Sequence, residues 1–236
     1  MRQLPLRVRL PDTARFGSFV VGENREVVNL LTAPLSGAPR VIWLWGPFGC
    51  GKSHLLQSAC AATGEAGGTA AYIDLAADVA PGMLEGCEML DLVCLDGLER
   101  VAGDPQWNAA IFRLHTLMHD GAGRLLVAST DAPAATWFEL PDLGSRLHAA
   151  SIHQLQRLDD NGQIEALKIR AGRRGLELNE EAARFLTHRL PRDMHSLCAV
   201  LDRLDEASLA AQRRLTVPFL REALESQFGD STGAGQ

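Results

Sequence analysis

Apolar residues change their spacing once along this chain. Up to about residue 157, short continuous apolar runs alternate with longer amphipathic stretches; beyond it only a helical spacing remains. Residues 41–45, 69–75, 90–97, 124–130 and 151–155 read as strands, being short, apolar and bounded by turn residues. Between them, Val27, Val28, Leu30 and Leu31 mark a short helix ending near Pro34, and residues 54–60 have helical composition. Residues 107–119 form another helix, with Ala110, Ile111, Leu114, Leu117 and Met118 on one face. Residues 143–147 read only as a short polar-apolar segment. This alternation predicts an α/β domain with a mainly parallel sheet, right-handed crossovers and a ligand site at the carboxyl ends of the strands.

The pattern shifts at Leu158-Asp159-Asp160-Asn161-Gly162, where a domain boundary is expected. Residues 163–173 make one helix, stopped before Gly175. Asn179 caps a second, with Ala182, Phe185, Leu186 and Leu190 facing inward. Pro191 suits the first turn of a third, whose stripe is Met194, Leu197, Cys198, Leu201 and Leu204. Thr216-Val217-Pro218 opens a fourth running to about Phe228. The chain thus divides into an extended arm (1–18), an α/β domain (19–157), a small all-helical domain (158–228) and a disordered tail (229–236).

Chemistry concentrates where the first strand ends. Gly46-Pro47-Phe48-Gly49-Cys50-Gly51-Lys52-Ser53 matches G-x-x-x-x-G-K-S/T, with a strand before it and a helix after it, starting at His54. In that context the pattern is a phosphate-binding loop. Its glycines turn backbone N–H groups inward, and the helix N-terminus adds positive charge. Lys52 would reach the terminal phosphates and the Ser53 hydroxyl would ligand Mg²⁺. A chance glycine-rich turn is the bland alternative, and the flanking strand and helix argue against it. Asp96, which closes a run of apolar residues, is the expected second contributor to the Mg²⁺ sphere, although buried strands also end in aspartate at ordinary turns.

Composition narrows the class. The 236 residues are 46% hydrophobic and 22% charged, with a formal net charge of −6, which disfavours broad non-specific nucleic-acid binding. Five scattered cysteines without a C-x-x-C pair read as reduced thiols. No secretory pattern follows Arg2, Arg7 and Arg9, and no apolar run approaches a membrane span. A cytoplasmic protein without membrane contact is expected. In the arm, Gln3-Leu4-Pro5-Leu6 is either a docking peptide for an apolar groove or a clip onto its own domain.

The stretch from Trp45 to Gln57, with Leu95-Asp96, Ser129-Thr130-Asp131 and Ser145-Arg146, resembles the AAA+ core of the bacterial replication initiator DnaA. Initiators carry a further helix-turn-helix domain, for which residues up to Gln236 leave no room. The stretches Pro141-Asp142-Leu143-Gly144-Ser145-Arg146-Leu147, Arg174-Gly175-Leu176-Glu177-Leu178 and Leu204-Asp205-Glu206-Ala207-Ser208 are more similar to the Hda branch of the DnaA/Hda family, the regulatory inactivators of the initiator. The run from Ala211 to Phe219 is especially similar. The resemblance spans residues 3–226. It implies an AAA+ P-loop core with a five-stranded parallel sheet and a C-terminal helical lid, and ADP or ATP with Mg²⁺ as ligand; the departures at Gly97 and His195 lead us to expect little turnover of the chain's own nucleotide. Gln3, Leu4 and Leu6 become a peptide for the DNA polymerase sliding clamp, DNA being reached through the clamp; self-association stays open.

By position, the resemblance gives nucleotide contacts to Gly46, Pro47, Gly49, Cys50, Gly51, Lys52, Ser53 and His54. Asp96 becomes the Walker B acid, Asp131 falls at sensor 1, and Arg146 becomes an arginine finger acting in trans on ATP held by the initiator. An ordinary surface ion pair is the alternative for Arg146. Two residues depart from the family. Gly97 stands where an active hydrolase has a second acid, with Glu99 as a displaced candidate. His195 stands at sensor 2, where arginine is usual, with Arg192 as a possible substitute from the same face. The implied function is negative regulation of replication initiation. An autonomous ATPase such as a helicase loader, and an adaptor with structural nucleotide, are the alternatives.

Overall fold

Strands β1 (Val41–Trp45), β2 (Ala70–Asp74), β3 (Leu92–Asp96), β4 (Arg124–Ser129) and β5 (Ser151–Gln154) form one sheet in the order β2-β3-β4-β1-β5. Every neighbouring pair is parallel. The structure, a computed structural model, describes residues 14–33, 39–191, 193–211 and 215–228. The Gln3-Leu4-Pro5-Leu6 peptide, Arg192 and the 229–236 tail lie outside the described residues.

Burial follows strand position. β3 and β4 are buried throughout and β1 nearly so, which is why they read as continuous apolar runs. β2 and β5 are the edges, are only partly buried, and carry Tyr72, Asp74, His153 and Gln154. Alternate side chains serve opposite faces. Trp43, Val93, Leu95, Leu125 and Val127 pack with Ile111, Leu114 and Met118 of α3 (Pro105–Asp120) and with Leu143 and Leu147 of α4 (Pro141–His148). Ile42, Leu44, Cys94, Leu126 and Ala128 pack with Val27 and Leu31 of α1 (Arg25–Thr32) and Leu55 and Leu56 of α2 (Lys52–Glu65).

The segment at 143–147, to which the sequence reading gave no element, is helical. Gly144 and Ser145 are poor helix formers, but Leu143 and Leu147 stand four residues apart on one face and are fully buried. Tertiary burial overrides propensity there.

The chain divides into two compact units meeting at Gln156 and Arg157. The second contains α5 (Asp160–Arg173), α6 (Glu180–Arg189), α7 (Met194–Ala211) and α8 (Val217–Phe228). They enclose Leu167, Leu186, Leu197, Leu201, Leu204 and Leu220. Carboxylate or amide oxygens cap three of them: Asp159 accepts from Gly162 N at 2.7 Å, Asn179 from Ala182 N at 2.8 Å and Asp193 from Ser196 N at 2.8 Å. The third cap corrects the expectation for Pro191, which lies outside the helix; α7 starts at Met194, behind Asp193. Arg170 of α5 and Arg174, the residue just past its end, meet Asp202 of α7, and Arg174 also reaches Asp205.

Candidate functional site

Strand β1 delivers the chain into the glycine loop, and α2 leaves it. Gly51 is the residue ahead of α2, with φ +102, and a Cβ there would come within 2.7 Å of the Phe19 ring. Glycine therefore both makes the turn and admits Phe19 against the loop. Because Gly51 has no side chain, it gives no side-chain cap to the first turn of α2. Those N–H groups face the position where an anion would neutralise them.

Lys52 opens α2 and is 8% exposed. Its Nζ donates to Gly46 O at 2.6 Å and Pro47 O at 3.2 Å, and lies 3.9 Å from the Sγ of buried Cys50. The loop thus wraps its own carbonyl oxygens around an ammonium. Ser53 follows, and its hydroxyl lies beside Asp96 at the end of β3. Asp96 is 8% exposed and also accepts from the Tyr72 hydroxyl at 2.7 Å. Burial raises the Asp96 pKa above the ordinary carboxylate value. The Ser53 and Tyr72 donors oppose that shift, Asp74 reinforces it, and Lys52 opposes it. Tyr72 is itself pushed strongly upward, by burial first and by the Asp96 charge second.

These contacts join the predicted residues of the loop, Lys52, Ser53 and Asp96 in one place. His54 is engaged from another side. Its Nε2 lies 3.1 Å from Arg15 O and 3.4 Å from Ser18 Oγ, and its ring centroid lies 5.6 Å from that of Phe19. Asn24 fastens the same N-terminal segment to the chain beyond β5, donating to Gln156 O at 3.0 Å and accepting from Gln156 N at 2.8 Å. Phe19, Asn24 and Tyr72 were not singled out from the sequence as site residues; only the apolar run around Phe19 and the chain's single tyrosine marked them.

Beyond the loop, Gly46 N donates to Ser129 O at 3.3 Å, which brings the end of β4 alongside. The Ser129 hydroxyl donates to Asp131 O at 2.7 Å, while the Asp131 side chain is exposed. Gly97 adopts φ +86, so the position after Asp96 is a left-handed turn. Glu99, two residues on, accepts from Thr130 N at 3.1 Å. Its carboxylate is therefore tied to the turn after β4.

Arg146 is exposed on α4, with its guanidinium carbon 4.6 Å from the centroid of the Phe112 ring on α3. Among the described residues no carboxylate pairs with it. Asp142, one turn earlier on α4, has the spacing for an ion pair and does not make one. Nearby His115 is 5% exposed, its Nδ1 has no partner, and its ring stacks on His119 at 5.9 Å. Burial lowers the His115 pKa, and the charge of Arg146 lowers it further. His195 belongs to the second unit, exposed in the first turn of α7.

Among the described residues no group of three His, Cys, Asp or Glu side chains could hold a metal. Ser53 and Asp96 offer hard oxygen donors of the kind that suit Mg²⁺ shared with phosphates and water. No described helix is long and apolar enough to cross a membrane.

Residues 160–224 match the family model described as Hda, lid domain. Solved structures share the fold of the chain. Domain III of the replication initiation protein DnaA from Thermotoga maritima is 18% identical at a TM-score of 0.78, over 92% of this chain and 97% of that one. AMPPCP-bound DnaA from Aquifex aeolicus is 21% identical at 0.70, over 83% and 65%. The Holliday junction branch migration motor RuvB of Thermotoga maritima is 16% identical at 0.64, over 86% and 67%. The chain spans 65% of the length of a further matching DNA replication initiation factor. The second unit thus matches the Hda lid model, and the five-stranded parallel sheet with its glycine loop between β1 and α2 belongs to a chain that shares the fold of DnaA domain III and of RuvB.

Proposed function

We propose that this protein is a nucleotide-bound regulator that switches off a replication initiator by stimulating hydrolysis of the initiator's ATP. Lys52, the loop and the first turn of α2 hold the phosphates of ADP or ATP. Ser53 and Asp96 would hold Mg²⁺, which would neutralise phosphate charge there. The chain's own turnover is negligible, because the residue after Asp96 is a glycine in a left-handed turn and Glu99 is engaged with Thr130 N. The Gln3-Leu4-Pro5-Leu6 peptide docks on the DNA-loaded sliding clamp, and Arg146 is presented in trans to the initiator's ATP.

The observation that carries this reading is the Hda lid match at residues 160–224, which favours the regulatory branch over a RuvB-type motor with the same core. Arg146 supports it through its chemistry. The aromatic contact uses a guanidinium face, and the fork of N–H donors is not spent on a carboxylate. The test is phosphate release from initiator–ATP in the presence of clamp loaded on DNA, with and without this protein. Stimulation that depends on both clamp and initiator is expected. Rapid hydrolysis by the protein alone would favour a motor or loader, and clamp and initiator binding without stimulation would favour an adaptor.

A further inference from the structure

Tyr72 has a role that its place on an edge strand does not explain. The Tyr72 hydroxyl donates to Asp96 Oδ2 at 2.7 Å. Gln57 lies beside the same phenolic oxygen, and Ser53 beside the same carboxylate. Ser53 and Gln57 stand one turn apart on α2, so the Tyr72–Asp96 hydrogen bond is flanked on both sides by the helix that follows the glycine loop.

A ring needed only for packing would not require the hydroxyl, since phenylalanine fills nearly the same space. Here the hydroxyl is carried into a half-buried site and is used on the one carboxylate that ends β3. An ionised carboxylate has about four acceptor positions, and its orientation about the last side-chain bond is loose. Holding Oδ2 fixes that rotation and leaves the other lone pairs for Ser53 and for a hydrated cation. Asp74, which faces the same corner, is occupied with Ala76 N at 2.9 Å.

We propose that Tyr72, oriented by Gln57, is a positioning residue that sets the Asp96 carboxylate for Mg²⁺ and thereby determines how strongly Mg²⁺ strengthens nucleotide binding. This rests on reading the P-loop as a nucleotide site. Partners of this kind, one bond removed from a metal, typically change metal affinity by roughly 10–100-fold when removed.

The experiment titrates the full chain with a fluorescent ADP analogue, once in EDTA and once across a MgCl₂ series. Tyr72→Phe should leave ADP binding in EDTA unchanged and move the Mg²⁺ midpoint upward by at least about tenfold. Gln57→Leu should move it in the same direction by less, and should add nothing when combined with Tyr72→Phe. An unchanged Mg²⁺ midpoint in Tyr72→Phe overturns the proposal. Equal losses in EDTA and in Mg²⁺ also overturn it, since they mark general damage to the pocket. If Tyr72→Phe fails to fold, Gln57→Leu decides alone, and an unchanged midpoint there is again fatal. If the unmodified chain binds ADP no better than Lys52→Ala under either condition, the nucleotide reading itself fails and takes the proposal with it.

Discussion

Replacing Arg146 with alanine separates a fold role from a functional one by the size of two effects. The structure limits what the fold can lose. The guanidinium is exposed, rests on Phe112 at 4.6 Å and pairs with no carboxylate among the described residues. An exposed cation–π contact contributes about 0.5–1 kcal/mol. A cation in the last turn of α4 adds about 0.3–1 kcal/mol through the helix dipole, and alanine returns a few tenths as the better helix former. The net cost is about 1 kcal/mol, equivalent to a fall in Tm of roughly 2–4 °C for a chain of this size. An arginine finger is worth about 10³–10⁵ in rate, or roughly 4–7 kcal/mol of barrier. Differential scanning fluorimetry and phosphate release from clamp-loaded initiator–ATP therefore give well-separated answers. Arg146→Ala should melt within a few degrees of the unmodified protein and reduce hydrolysis to the level without it. Arg146→Lys should restore little, because a point charge lacks the planar fork. Full stimulation by Arg146→Ala would refute the finger, and a collapse in Tm would show that Arg146 supports the fold far beyond its contact with Phe112.

Three further outcomes are expected. Gly97→Glu places a side chain at φ +86 and should destabilise the protein by about 1–2 kcal/mol without creating initiator-free ATPase activity, because the turn does not aim an acid as an extended strand end would; steady-state turnover and Tm measure both. His115→Leu should flatten the acid side of the stability curve. The folded His115 pKa lies below the ordinary 6.5, so the unfolded chain binds the proton more readily and the unmodified protein loses stability as pH falls from 6.5 towards the folded value. Urea midpoints at pH 8 and pH 5 check this, and an equal loss of midpoint in both proteins would remove His115 as the cause. Alanine at Gln3, Leu4 and Leu6 together should abolish clamp pull-down while ADP binding persists; retained pull-down would return the arm to a clip on its own domain.

The sequence made the glycine loop and its strand legible because local signals agree there: an apolar run, three glycines, a lysine and a helix in a fixed order. β1 occupies the residues expected of it, as the buried VIWLW run dictates. The Asn179 cap was equally visible, being a local hydrogen bond to Ala182 N. α4 was not, because its helix rests on burying Leu143 and Leu147 against a core assembled from distant strands. Tyr72 was hidden for a related reason. Its meeting with Asp96 depends on β2 lying beside β3 in register, Tyr72 opposite Cys94 and Asp74 opposite Asp96. Strand order is not written in any local pattern. Asn24 and Gln156, 132 residues apart, could be joined only by the finished fold.

The strand order also sets a timetable for synthesis. β2 and β3 are close in sequence and can pair as soon as both have emerged. β1 is made earlier but pairs with β4 and β5, whose first partner positions lie about 80 and 110 residues later. At a translation rate of 5–20 residues per second, Val41 to Trp45 waits roughly 4–20 s for a neighbour. During that interval the most apolar strand of the protein, and the one that leads into the glycine loop, is unpaired outside the ribosome. Slower translation between β1 and β4 lengthens that exposure, so the yield of folded protein should respond to codon usage across residues 46–124 more than to changes within the second unit.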